Sequence, residues 1–125
     1  MTGPVQRLLR RLSRPSSERE REELQATSAQ AGSVPADQLI DRQLCQCTGT
    51  VRSLSLRPRA GEAPALVVDL DDGHRTLTVI WLGRRRIAGI HPGVMLTVRG
   101  RVSLRKGSPT MFNPSYEINP PKTAE

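Results

Sequence analysis

Ten consecutive residues in the second half of the chain, Val94 to Ser103, alternate without a break. Val94, Leu96, Val98, Gly100 and Val102 share one parity; Met95, Thr97, Arg99, Arg101 and Ser103 share the other. A period of two places these sets on opposite faces of a β-strand, one apolar and one wet. A strand of this kind must pair on its edges and cover its apolar face, so the rest of the fold is constrained to supply partner strands.

The partners are legible on both sides. From Cys45 the period is again two: Cys45, Cys47, Gly49 and Val51 share a face, and then Leu54 and Leu56 take the opposite parity. The phase change near Arg52 and Ser53 predicts a bulge or bend in one long strand. Arg57 to Pro64 reads as a loop, Ala65 to Leu70 as a second strand, Asp72-Gly73 as a hairpin turn and Thr76 to Leu82 as a third strand. Gly83 to Ile90, with Ile87 and Ile90 three apart, reads as a short helix or helical turn. Arg105 to Pro109 turns, and Thr110 to Asn113 starts a fifth strand that Pro114 interrupts or ends. The expected fold is all-β: strand, strand, strand, short helix, strand, strand, a five-stranded OB-fold barrel closed within about 75 residues.

Residues 1–43 differ in character. They carry seven Arg, six acidic residues and few apolar ones, and Ala29 to Pro35 has linker composition. Val5, Leu8, Leu9 and Leu12 recur at helical spacing among Arg7, Arg10 and Arg11, which predicts a short basic amphipathic helix. Ser16 or Ser17 with Glu20 offers a capping box for a second, solvated helix over Glu18 to Ala31, where Leu24 is the only large apolar residue. The expected organisation is a partly helical, mobile extension over 1–43, the OB-fold domain over 44–118 and a tail over 119–125.

Charge points to the partner. The chain has 19 Lys and Arg against 12 Asp and Glu, a formal net charge of +7, which favours a polyanion. Residues 44 onward hold six of those seven net charges, and Arg84 to Lys106 contains seven basic residues and no acidic one. Phosphate contacts need cations without neighbouring carboxylates, because affinity follows the counterions released. OB-folds bind across strands two and three, between the loops joining strands one to two and four to five. That places Arg57 and Arg59 on one side and Arg105 and Lys106 on the other, joined by Arg84, Arg85, Arg99, Arg101 and the ring of Trp81. Seventeen of the basic residues are Arg, so a compositional origin of the charge is the competing reading.

Four runs carry a family resemblance: Thr78 to Gly83, Ile90 to Gly93, Leu96 to Val102, and Phe112-Asn113-Pro114-Ser115-Tyr116-Glu117. Over about Cys45 to Ile118 they resemble the OB-fold wedge domain of RecG-type helicases and, more closely, the small stand-alone OB-fold nucleic-acid-binding proteins of actinobacteria. The resemblance implies nucleic-acid binding. Where the wedge carries aromatics, this chain has Leu82 and Arg86. No phosphate-loop motif is present, and no nucleophile has an identifiable base, so no enzymatic activity is expected.

Cys45 and Cys47 read as core residues and not as half of a zinc site, His74 and His91 as turn residues, and Asp69, Asp71 and Asp72 as a solvated hairpin end. No metal or other cofactor is expected. No apolar run reaches the roughly 20 residues of a membrane span; with two cysteines that form no disulfide framework, this predicts a cytoplasmic protein without integral membrane association. The expected function is a non-enzymatic module binding single-stranded or branched DNA, or RNA, with low sequence specificity. The alternative is a protein-interaction adaptor using the barrel face or the N-terminal amphipathic helix.

Overall fold

A computed structural model describes residues 16–105 and 107–120, with only the backbone of Ser16, Ser17 and Arg105. The predicted amphipathic helix around Val5 to Leu12, the capping hydroxyls, Lys106 and residues 121–125 lie outside what it describes. Helix α1 (Ser16–Gln30) and a 3-10 turn (Ala36–Gln38) precede six strands: β1 (Leu44–Arg59), β2 (Glu62–Asp71), β3 (Thr76–Trp81), β4 (Met95–Arg105), β5 (Ser108–Phe112) and β6 (Ser115–Ile118).

Five strands close into a ring in the order β1-β2-β3-β5-β4 and back to β1. The β3–β5 pair is parallel and the other pairs are antiparallel. Closure is possible because β1 serves two partners: Leu44 to Thr50 pairs with β4, and Thr50 to Arg59 pairs with β2. The ladder with β2 slips between Val51 and Ser53, so Arg52 is the extra residue at which the apolar parity changes sides. Gly49 sits at this bend for want of space and not for flexibility. A Cβ there would meet the Asp71 carbonyl oxygen at 2.5 Å.

The alternating sets fall as their parity requires. Leu96, Val98 and Val102 are at most 1% exposed and face Val51, Leu66, Val68, Leu70, Leu77, Val79, Trp81 and Met111 inside the ring. Each such side chain contributes about 1.5–3 kcal/mol on burial. Cys45 and Cys47 are buried free thiols in the same core, and burial pushes both their pKa values up.

Three expected elements are corrected. Arg57 to Pro64 is not a loop: β1 runs to Arg59 and β2 starts at Glu62, with Arg57 paired to Ala65 and Arg59 to Glu62 around a tight turn at Ala60-Gly61. Gly83 to Ile90 is not a helix but a series of turns; Gly83 and Gly89 hold positive φ, which breaks the helical run at both ends. Ile87 and Ile90 are nonetheless buried, at 4% and 5%, because their spacing pins the loop to the core. After Pro114 the chain does not end its sheet. β6 returns along the first half of β4, pairing Arg99 with Ser115 and Leu96 with Ile118, so the sheet has six strands, five of them in the ring.

Packing does not stop at the composition change near residue 43. Helix α1 is polar and charged as expected, yet it lies on the ring through Leu24, 7% exposed, while Arg21 Nη1 and Gln25 Nε2 donate to the Gly73 carbonyl at 2.7 and 2.9 Å. The following segment runs beside β1: Val34 N–H donates to Gln46 O at 2.9 Å, and Ser33 Oγ lies 2.6 Å from Thr48 Oγ1. Ala36 and Leu39 join the main core. Asp72 fastens this segment. Its Oδ2 accepts from Ala36 N–H at 2.7 Å, and its Oδ1 accepts from His74 and Arg75 N–H at 2.9 and 3.0 Å.

Candidate functional site

The external face of β2 and β3 can be built from register alone, since directly paired residues share a face. Arg57 pairs with Ala65, Ser55 with Val67 and Ser53 with Asp69; Val67 pairs with Ile80 and Asp69 with Thr78; Ile80 pairs with Phe112 and Thr78 with Thr110. The face therefore has two halves. Where β3 ends, it is apolar, with Ala65, Val67 and Ile80 forming a small cluster separate from the main core and itself buried, at 2%, 8% and 4% exposed. Where β3 begins, it is polar, with Ser53, Asp69, Thr78 and Thr110. Phe112 flanks the apolar half, and Leu82 follows Trp81 at its rim; they are 43% and 41% exposed.

Arginines collect at the apolar end. Arg57 is on this face and exposed. Leu66 pairs with Trp81, so Leu82 emerges beside Ala65, two strand spacings or about 10 Å from the Arg57 backbone. Arg84, Arg85 and Arg86 follow at once, all exposed. Leu82 is itself held, its N–H donating to Asn113 Oδ1 at 2.9 Å, and Ile87 anchors the other end of the triplet. Among the described residues, the side chains of Arg57, Arg84, Arg85 and Arg86 make no hydrogen bond or ion pair.

The remaining expected site residues are placed differently. Arg59 pairs with Glu62 across the β1–β2 hairpin. Arg99 and Arg101 stand on the external face of β4 against β1, on another side of the ring. Arg99 Nη2 donates to Gln46 Oε1 and Arg101 Nη1 to the Arg42 carbonyl, both at 2.7 Å. Trp81 is 5% exposed, its Nε1–H donates to Pro114 O at 3.2 Å, and its ring meets Tyr116 edge-on at 5.7 Å. It presents no face to a base. The β4–β5 hairpin, where the backbone of Arg105 pairs with Ser108, lies beside the start of β3, because Thr78 pairs with Thr110. The two hairpins thus flank opposite ends of the β2–β3 pair.

Sequence reasoning singled out Arg84 and Arg85 but not Arg86, which is equally exposed. Phe112 stands on the external face. The signal was available in the parity of β5: Met111 is buried, so its neighbour points outward.

The acidic hairpin end is fully engaged. Asp72 is 2% exposed and holds three backbone N–H groups; Asp71 pairs with Arg52 at 3.2 Å and accepts from Gly73 N–H; Asp69 accepts from Ser53 Oγ at 2.8 Å. Among the described residues no group of three His, Cys, Asp or Glu side chains is placed to hold a metal ion, and no helix is long and apolar enough to cross a membrane. No protein-family model matches the chain, and no curated protein sequence is significantly similar to it.

Proposed function

We propose that the chain is a non-enzymatic OB-fold module that binds single-stranded or branched DNA, or RNA, with little sequence preference. The observation that carries this reading is the contrast between paired and unpaired arginines. Arg52, Arg59, Arg99 and Arg101 are engaged within the protein, whereas Arg57 and Arg84 to Arg86, like Arg75 before β3, have no side-chain partner among the described residues; Arg57 and Arg84 to Arg86 gather where Leu82 and Phe112 expose apolar surface. Cations held beside an apolar, partly aromatic surface suit a phosphate chain whose bases lie against that surface. The ring order, the external face of strands two and three and the resemblance of Thr78 to Glu117 to stand-alone OB-fold proteins support the same reading.

The test is fluorescence anisotropy with a labelled single-stranded twelve-mer over a salt series. Arg84→Ala with Arg85→Ala and Arg86→Ala flattens the log-affinity against log-salt line by about 2, at roughly 0.7 per phosphate, and does not lower the thermal melt. Wild-type protein that binds no single strand, duplex or fork at low salt overturns the proposal.

The adaptor reading has one observation of its own. An open groove of about 1040 Å³ lies between α1 and the ring, lined by Leu24, Pro92, Val94, Met95 and Ile118 with Glu20 and Glu23 on the helix side. A protein docked there would hold through apolar contact and stay bound as salt rises, opposite to a phosphate ligand.

A further inference from the structure

The groove between α1 and the ring keeps apolar surface that no described residue covers. Pro92 is exposed, Val94 and Met95 are partly exposed and Ile118 is 39% exposed, and all four line it opposite Leu24 of α1. We propose that the occupant of this groove is the chain's own N-terminal segment, residues 5–12, folded as an amphipathic helix that runs back along α1 and lays Val5, Leu8, Leu9 and Leu12 against the ring. This goes beyond the nucleic-acid reading and does not depend on it.

The connection has the right length. Three residues, Ser13, Arg14 and Pro15, separate Leu12 from Ser16, where α1 begins, and two to five residues join antiparallel helices. Pro15 also disfavours helical backbone at Arg14, so a helix over residues 5–12 stops before the turn. A chain that turns back over Ser13 to Pro15 sets Val5 level with about Glu23 and Leu8 level with about Glu20, and both glutamates line the groove.

The dimensions agree. From Val5 to Leu12 the apolar stripe advances seven residues, about 10 Å at 1.5 Å per residue. The α1 residues that line the groove run from Glu20 to Thr27, the same advance. A helix of about two turns does not persist alone in water; it forms only where a surface covers its leucines.

Charge selects the same place. Residues 1–15 carry four Arg and no acidic residue, whereas α1 carries four Glu and two Arg. From residue 44 onward the chain is strongly basic, so the ring repels the segment and α1 attracts it. Docked there, the segment adds apolar contact to a helix otherwise fastened to the ring through Leu24, Arg21 and Gln25.

The experiment is methyl NMR on the full chain. Nuclear Overhauser contacts are expected from Val5, Leu8 or Leu9 to the Met95 ε-methyl or the Ile118 δ1-methyl. Leu8→Asp with Leu9→Asp removes them, shifts the Met95 and Ile118 resonances and leaves that of core Val98 in place, while amide exchange in α1 speeds up by about fivefold or more. Glu23→Lys weakens the same contacts with both apolar surfaces intact. Mixing protein labelled only at Leu and Val with protein labelled only at Met and Ile gives no such contacts, because the segment docks on its own chain. Contacts that appear in the mixed sample assign the groove to a second copy and overturn the proposal. Met95 and Ile118 resonances that are the same in the wild type and the Asp variant overturn it as well, and leave the groove to a different protein.

Discussion

Replacing Asp72 by Ala tests whether the segment before β1 belongs to the fold. The carboxylate is 2% exposed and serves three backbone donors at 2.7–3.0 Å. Ala36 is also 2% exposed, so without Asp72 its N–H has no replacement partner, at a cost of about 1–3 kcal/mol. The His74 and Arg75 N–H groups lie at a turn where water replaces the lost acceptor, and each charge-assisted bond there adds about 0.5–1.5 kcal/mol. The total is about 2–6 kcal/mol, with 3–4 kcal/mol near its middle. Asp72→Asn keeps one carbonyl oxygen and serves either Ala36 or the turn, so it loses about half as much. Urea unfolding reads both. With a slope of about 1.5 kcal/mol per molar for a chain of this size, the midpoint falls by roughly 2 M for Asp72→Ala and about 1 M for Asp72→Asn. A loss below about 1 kcal/mol for the alanine variant refutes the reasoning, because it means that the Ala36 amide is not held against the ring.

Gly49→Ala places a methyl group 2.5 Å from the Asp71 carbonyl oxygen, and backbone must move to admit it; urea unfolding is expected to show a loss of about 1–3 kcal/mol. Trp81→Phe removes the bond from Nε1 to Pro114 O and costs about 1 kcal/mol, read as a lower melting temperature with an unchanged salt slope for nucleic acid. Cys47 is held as the neutral thiol, its pKa raised by burial and then by neighbouring Cys45 and Asp72 from an ordinary value of 9.0. Unfolded thiol therefore ionises first, and its contribution to stability is complete below pH 9 and declines as pH rises above it. Cys47→Ala is expected to flatten the stability-against-pH curve there, measured as the difference between the two proteins.

What the sequence disclosed follows from where its patterns were local. Alternation from Met95 to Ser103, with Val94 left in the preceding turn, and the change of parity at Arg52 survive, because side-chain period and strand face are the same fact. The turn at Asp72-Gly73 was equally plain. What it hid is long-range. Ala36 and Leu39 sit in a polar stretch with no period, and nothing local says that Asp72 will bind the Ala36 amide 36 residues away. Ile87 and Ile90 suggested a helix because their spacing fits one, whereas the same spacing serves a loop whose two anchors reach the core. β6 was concealed by Pro114, which interrupts pairing with β3 but leaves the next four residues able to pair with β4.

The same distinction separates arginines that support the fold from those open to a ligand. Seven basic residues between Arg84 and Lys106 form one run in sequence, but the ring divides them. Arg99 and Arg101 alternate on a strand and find acceptors on the β1 side; Arg84, Arg85 and Arg86 lie on a loop fixed at Leu82 and Ile87 and find none among the described residues. A loop anchored at both ends loses less freedom when its side chains are engaged than an unanchored one does. Three adjacent cations also repel one another, and a bound polyanion relieves that repulsion. Pinning the triplet with two buried isoleucines thus keeps the repelling charges together without internal partners. Neutralising them is therefore expected to raise the melting temperature slightly while it weakens binding, an inverse relation between stability and affinity that Arg99→Ala and Arg101→Ala do not share.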